Sequence, residues 1–135
     1  MNTRPQLALV LALCALLTGC GDAGIVGKWH GTVSGNDRSV STDIELAPNG
    51  KETIQVSWAS PGGQKVTIVT TATYTVKGNA ITQTFTGFTL DGRAMPVASL
   101  PENQTTETDT FKLNGDTLIL SKPSSPAMTL TRVKN

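Results

Sequence analysis

From residue 25 onward the apolar positions alternate with polar ones at a period of two. No stretch keeps an i, i+3, i+4, i+7 apolar spacing for three turns. Side chains on a strand point alternately to its two faces, so this pattern predicts strands with one buried face. Turn dipeptides recur roughly every eight to twelve residues, the rhythm of a sandwich or barrel. Eight strands are expected, over 25–34, 39–47, 51–60, 65–76, 80–90, 105–113, 116–121 and 127–134. The expected inward positions are Ile25, Gly27, Trp29, Gly31 and Val33 on the first strand, and Val40, Thr42, Ile44 and Leu46 on the second. On the third they are Ile54, Val56 and Trp58, and on the fourth the set from Val66 through Ile68 to Val76. In the fifth, Ile81, Gln83 and Phe85 share a face, but Phe88 and Leu90 fall out of phase. Gly87 lies between the two sets and is read as a bulge that resets the register.

The connections are unequal. Pro48-Asn49-Gly50, Lys77-Gly78-Asn79 and Asn114-Gly115-Asp116 are tight hairpin turns, with Asn and Gly at the positions that need positive φ. The remaining connections are looser: 35–38, 61–64, 122–126, and a long one over 91–104. In an up-and-down order the two sets lie at opposite ends, which predicts a cup with one pinched end and one open end. Pairing the first strand with the last removes both exposed edges. The expected fold is therefore an all-β, eight-stranded antiparallel up-and-down barrel without disulfides.

The segment before residue 25 has a different character. Met1–Gln6 is short and carries Arg4, Leu7–Leu17 is an unbroken apolar run, and Leu17-Thr18-Gly19-Cys20 follows. A charged start, a short apolar core and small residues before a cleavage point describe a secretory signal. The run is well short of the roughly 20 residues a membrane-spanning helix needs. Its end resembles the bacterial lipobox, matched position by position by Leu17, Thr18, Gly19 and Cys20. That resemblance implies cleavage before Cys20, a diacylglycerol on its thiol and an acyl chain on its amine. Two or more chains anchor stably where one does not. Gly21, rather than Asp, follows the Cys, which resembles the default signal for outer-membrane sorting. The expected organisation is a signal peptide over 1–19, a lipidated Cys20 with a short tether over 20–24, and a barrel domain over 25–135, held on the envelope's outer membrane facing the periplasm.

Composition narrows the chemistry. The chain has 11 Lys+Arg, 10 Asp+Glu and two Cys. Cys14 lies in the signal and Cys20 would carry lipid, so the mature domain has no thiol for a disulfide, a metal site or a nucleophile. Basic residues are scattered, with no stripe or cluster of the kind that marks nucleic-acid binding.

At Gly27-Lys28-Trp29 the chain resembles the lipocalin and fatty-acid-binding superfamily, whose first strand carries Gly-x-Trp at the closed end. The short bacterial lipocalin-like domains end similarly, with an Asp-Thr-Leu hairpin and a basic last strand. The parallels here are Asn114-Gly115-Asp116-Thr117-Leu118 and Thr129-Leu130-Thr131-Arg132. The resemblance implies that Arg132 packs over Trp29. The family's helical lid has no counterpart after the first strand, so its ligand habits transfer poorly.

His30, the single histidine, alternates with Trp29 and is expected to face outward, away from any cleft. With no second His and no Cys in the domain, no His-based metal site is expected. Glu107 and Asp109 are in phase with Phe111 and Leu113. Either both carboxylates point inward near the mouth, fit to meet a cation or to raise each other's pKa, or the strand frays and both are solvated. Trp58 lies on the inward phase near the same mouth, with Arg93, Met95 and Leu100 in the long loop above it. A ligand would sit among Trp58, Ile68, Arg93, Met95, Glu107, Asp109 and Phe111, or Trp58 would plug a filled barrel. Eight strands are just wide enough for either outcome.

No nucleophile–base pair, metal cluster or cofactor fingerprint is present, so an enzyme is not expected and no cofactor is implied. Two functions compete. One is a lipid-tethered module binding a small apolar or amphipathic molecule at the open end. The other is a filled barrel whose rim contacts another envelope protein, as a stress-sensing or inhibitor module.

Overall fold

The structure is a computed structural model that describes residues 24–35, 38–97, 105–123 and 125–135. The segment expected to be a signal, Cys20 and Leu100 lie outside the described residues. Within them are nine strands: β1 (Gly27–Gly35), β2 (Arg38–Leu46), β3 (Lys51–Ala59), β4 (Lys65–Lys77), β5 (Ala80–Leu90), β6 (Arg93–Met95), β7 (Thr106–Asn114), β8 (Thr117–Ser121) and β9 (Met128–Arg132). All strand pairings are antiparallel. The sheet runs β4-β3-β2-β1-β9-β8-β7-β5, and β4 also pairs with β5, so eight strands close into a barrel. Apart from the short β6, every pairing joins chain neighbours except β1 with β9, so the meander closes end to end as the alternation predicts.

β6 is the departure from eight strands. Asp91 has φ 46° and Gly92 has φ 79°, two consecutive positive values that suit a two-residue hairpin. The chain therefore folds back at once, and Arg93–Met95 pairs with Leu90–Phe88. It occupies the edge of β5 beyond the stretch where β7 pairs, since β7 covers only Ala80–Thr84. Asp91 fastens the turn to β4: Thr67 N–H donates to Asp91 Oδ1 at 2.8 Å, and Asp91 N–H donates to the Thr67 carbonyl at 2.8 Å. Three residues are too few for period-two alternation to announce a strand.

The register shift on β5 falls where Gly87 predicts it. Thr71 pairs with Gly87 and Ala72 with Phe85, which leaves Thr86 as the extra residue. Thr70 then faces Phe88 and Ile68 faces Leu90, so both late apolar residues return to the interior face.

The core fills the pinched end. Ile25, Trp29, Leu46, Ile81, Leu118 and Leu130 are fully buried there, with Tyr74, Phe111 and Leu120 around them. Trp29 Nε1–H donates to the Ile25 carbonyl at 2.8 Å, and Tyr74 O–H to the Ala47 carbonyl at 2.6 Å, so neither ring buries an unmatched polar atom. Arg132 lies opposite Trp29 in the β1–β9 seam, its guanidinium carbon 4.2 Å from the ring centroid. Its Nη1 and Nη2 donate to the carbonyls of Val26 (2.8 Å) and Gly24 (2.7 Å). A β-carbon at Gly27 would stand 2.7 Å from Arg132 Nη1, so only glycine leaves room for this stack. Towards the other end, Trp58, Ile68 and Phe88 are half-buried. Val33, Leu90 and Met95 are exposed at the rim.

Candidate functional site

Above the packed core the barrel is open. A cavity of about 300 Å³ lies between Thr42 and Ile44 of β2, Ile54 and Val56 of β3, Gln83 of β5, Asp109 of β7, Leu120 of β8 and Met128 of β9. Lys122, Ser125 and Pro126, from the β8–β9 connection, border it. It therefore opens at the loop-rich end, where the unequal connections place the mouth. Its walls are mainly apolar with a few polar groups, the usual make-up of a small-molecule pocket.

The polar groups converge from three strands and the β8–β9 connection. Glu52, the second residue of β3, is in phase with Ile54 and Val56, and Gln83 shares the inward face of β5 with Ile81; Glu52 and Gln83 are each only 2% exposed. Gln83 Nε2 donates to both Glu52 carboxylate oxygens, at 2.6 and 2.8 Å. This amide orientation turns Gln83 Oε1 away from the carboxylate. On β7, Glu107 stands opposite Gln83, and Asp109 opposite Ile81. Lys122 continues the inward phase of Leu118 and Leu120. Its Nζ lies 2.7 Å from Glu107 Oε2 and 3.6 Å from Asp109 Oδ2.

Burial governs the electrostatics. Desolvation raises the Glu52 pKa from 4.5 to about 7, against the opposing hydrogen bond from Gln83 and the field of Lys122. Desolvation also raises that of Asp109, helped by the nearby Glu107 and opposed by Lys122. Asp109 is 1% exposed. Among the described residues no group donates to Asp109 Oδ1 or to Gln83 Oε1, although both atoms are buried. Such unmatched acceptors are uncommon in folded proteins, because each costs about 1–3 kcal/mol.

The residues expected to form the ligand site are divided by the structure. Asp109 lines the cavity. Glu107 stands beside it, held by Lys122. Strand β7 is regular from Thr106, so the inward alternative for this pair is the one realised. Phe111 belongs to the core below. Trp58 and Ile68 lie on the half-buried upper rows of β3 and β4 rather than in the cavity wall, and Arg93 and Met95 are exposed on β6. His30 faces out as expected, its Nδ1 2.7 Å from Asp43 Oδ1. Among the described residues no group of three or more His, Cys, Asp or Glu is arranged to hold a metal ion.

Sequence reasoning did not single out Glu52, Gln83 as a polar wall, or Lys122. Their signal was phase: Glu52 precedes Ile54 and Val56 by even steps, and Lys122 follows Leu118 and Leu120 in the same way. In comparisons with known proteins, no family model matches this chain and no curated protein matches it.

Proposed function

We propose that this protein is a lipid-anchored, non-enzymatic binding protein of the bacterial envelope whose barrel holds one small amphipathic molecule. The observation that carries the reading is the cavity itself. It opens at the barrel mouth, has mainly apolar walls, and is lined by Gln83 and Asp109, each of which buries an acceptor with no partner among the described residues. Its volume is about twice that of an apolar cavity of about 150 Å³ known to take up benzene, which sets the scale of the ligand at a ring system or a short chain. An open interior supports ligand binding over the filled-barrel alternative. The anchor rests on Leu17-Thr18-Gly19-Cys20 behind the signal segment, and Gly21 favours the outer membrane, facing the periplasm.

The test is a titration of the purified full chain with small amphiphiles while the ε-methyl NMR signal of Met128 is followed. A saturable shift is expected for at least one compound class. A Met128 signal unmoved by every compound, in a protein purified without a retained molecule, would remove the reading. Intact mass of the membrane-extracted protein checks the anchor: the expected chain starts at Cys20 and carries acyl mass.

A further inference from the structure

We infer that the barrel cavity selects a cationic amphiphile, a primary ammonium group on an apolar body, and rejects the corresponding carboxylate. The inference rests on the binding reading above and specifies the head group.

Gln83 and Asp109 line the cavity at its polar end, and each buries an unmatched atom just behind the wall, Gln83 Oε1 and Asp109 Oδ1. Both are acceptors, both belong to side chains at least 98% buried, and neither receives a hydrogen bond from the described residues. A ligand that satisfies them must bring donors. The amide of Gln83 does not turn to offer its N–H groups, because both oxygens of Glu52 hold its Nε2. An ammonium group carries three donors and no acceptor, which matches this demand.

The charge balance points the same way. Glu52, Glu107 and Asp109 gather at this level of the barrel, and among the described residues the cation that faces them is Lys122. Lys122 is the group an anionic ligand would seek, but Glu107 already holds its Nζ at 2.7 Å and Asp109 approaches within 3.6 Å. A carboxylate ligand would have to displace one of these and then sit beside the rest, unpaired and desolvated. An ammonium needs no displacement. Its apolar body would lie along Ile54, Val56 and Met128, with the chain leading to the mouth at Pro126.

The experiment uses the full chain in phosphatidylcholine nanodiscs, with empty nanodiscs as the partition control. Hexylammonium, hexanol and hexanoate are titrated by calorimetry at pH 7.5. The expected order is hexylammonium tighter than hexanol by at least tenfold, and hexanoate weakest. Hexanoate binding as tightly as hexylammonium would overturn the head-group assignment while leaving the cavity a binding site. Binding of none of the three would overturn the binding reading and the assignment together. Asp109→Asn, with folding checked by near-UV circular dichroism, is expected to lose at least tenfold for hexylammonium and little for hexanol; an unchanged preference would count against the assignment. Val56→Trp, which fills the cavity from its wall, is the second variant. It is expected to abolish hexylammonium binding, and binding that survives it would place the amine elsewhere and sink the proposal.

Discussion

Glu52 shows how far one residue's surroundings depart from what its identity implies. It follows Lys51 at the start of a strand, next to a turn, where a charged residue ordinarily meets water. Barrel closure instead places it 2% exposed against Gln83. Its pKa rises from 4.5 to about 7, so the folded protein keeps a proton that the unfolded chain releases between those values. The group is protonated in both states below about pH 4.5 and costs nothing there. Stability then falls as pH rises through the window, and above about pH 7 the loss is complete, about 3 kcal/mol by linkage. The raised pKa of Asp109 adds a loss of the same sign. Glu52→Gln keeps the shape and can pair amide to amide with Gln83. It is expected to flatten the fall and to leave the variant more stable than the parent at pH 8. Urea unfolding at several pH values between 4.5 and 8 measures the difference, and equal slopes in the two proteins would refute the assignment. Asp109 was partly legible beforehand, because its phase with Phe111 is visible in the sequence. Its lack of a donor for Oδ1 was not, since that depends on what other parts of the barrel bring near it.

At the scale of elements, turns and bulges were easier to read than contacts. Gly87 marked the β5 bulge because an apolar phase broke around it, and the structure places the extra residue next to it at Thr86. The physical need for glycine is across the strands: a β-carbon there would stand 2.5 Å from Thr71 Oγ1. Threonine is stiff at χ1 and yields little. Gly87→Ala is therefore expected to cost about 1–2 kcal/mol, and Thr71→Ala in the same chain should recover more than 0.5 kcal/mol of it. A double-mutant cycle in urea measures the coupling, and simple additivity would show that the glycine is there for another reason. The β5–β6 hairpin was hidden inside the long connection expected over 91–104, because a three-residue strand contributes too little pattern to distinguish it from loop.

The whole molecule divides into a closed, well-packed end and an open one. The seam that makes it a barrel is short: β1 and β9 pair through Trp29 with Arg132 and His30 with Thr131, and Val133 N–H donates to the Lys28 carbonyl. Arg132 does more at this seam than its two backbone partners suggest, because it stacks on Trp29 and ties the segment before β1 to the last strand. Charged hydrogen bonds and a partly buried cation–π contact together imply that Arg132→Ala destabilises by about 2–4 kcal/mol. For a domain of this size the midpoint of thermal unfolding should fall by about 10 °C. Arg132→Lys should recover less than half of that, since an ammonium lacks the planar fork. Calorimetric scans of the three proteins decide it, and a shift below about 2 °C for the alanine variant would mean the stack is ornamental.

Period-two alternation, glycine- and asparagine-rich turns and the unequal loops were enough to determine strands, their order, the closed barrel and the end at which it opens. Those features are local, or follow from the rule that a meander with one apolar face must bury it and pair its edges. Which inward side chains share a cavity was decided only by tertiary structure. Strand stagger sets the height of each residue in a barrel. It lowers Phe111 into the core, leaves Trp58 and Ile68 on the upper rows, and brings Glu52, Gln83 and Asp109, from three separate strands, to one level with Lys122 of the β8–β9 connection. Alternation reports the face of a strand and carries no information about that height, so the polar floor of the cavity had to be seen to be known.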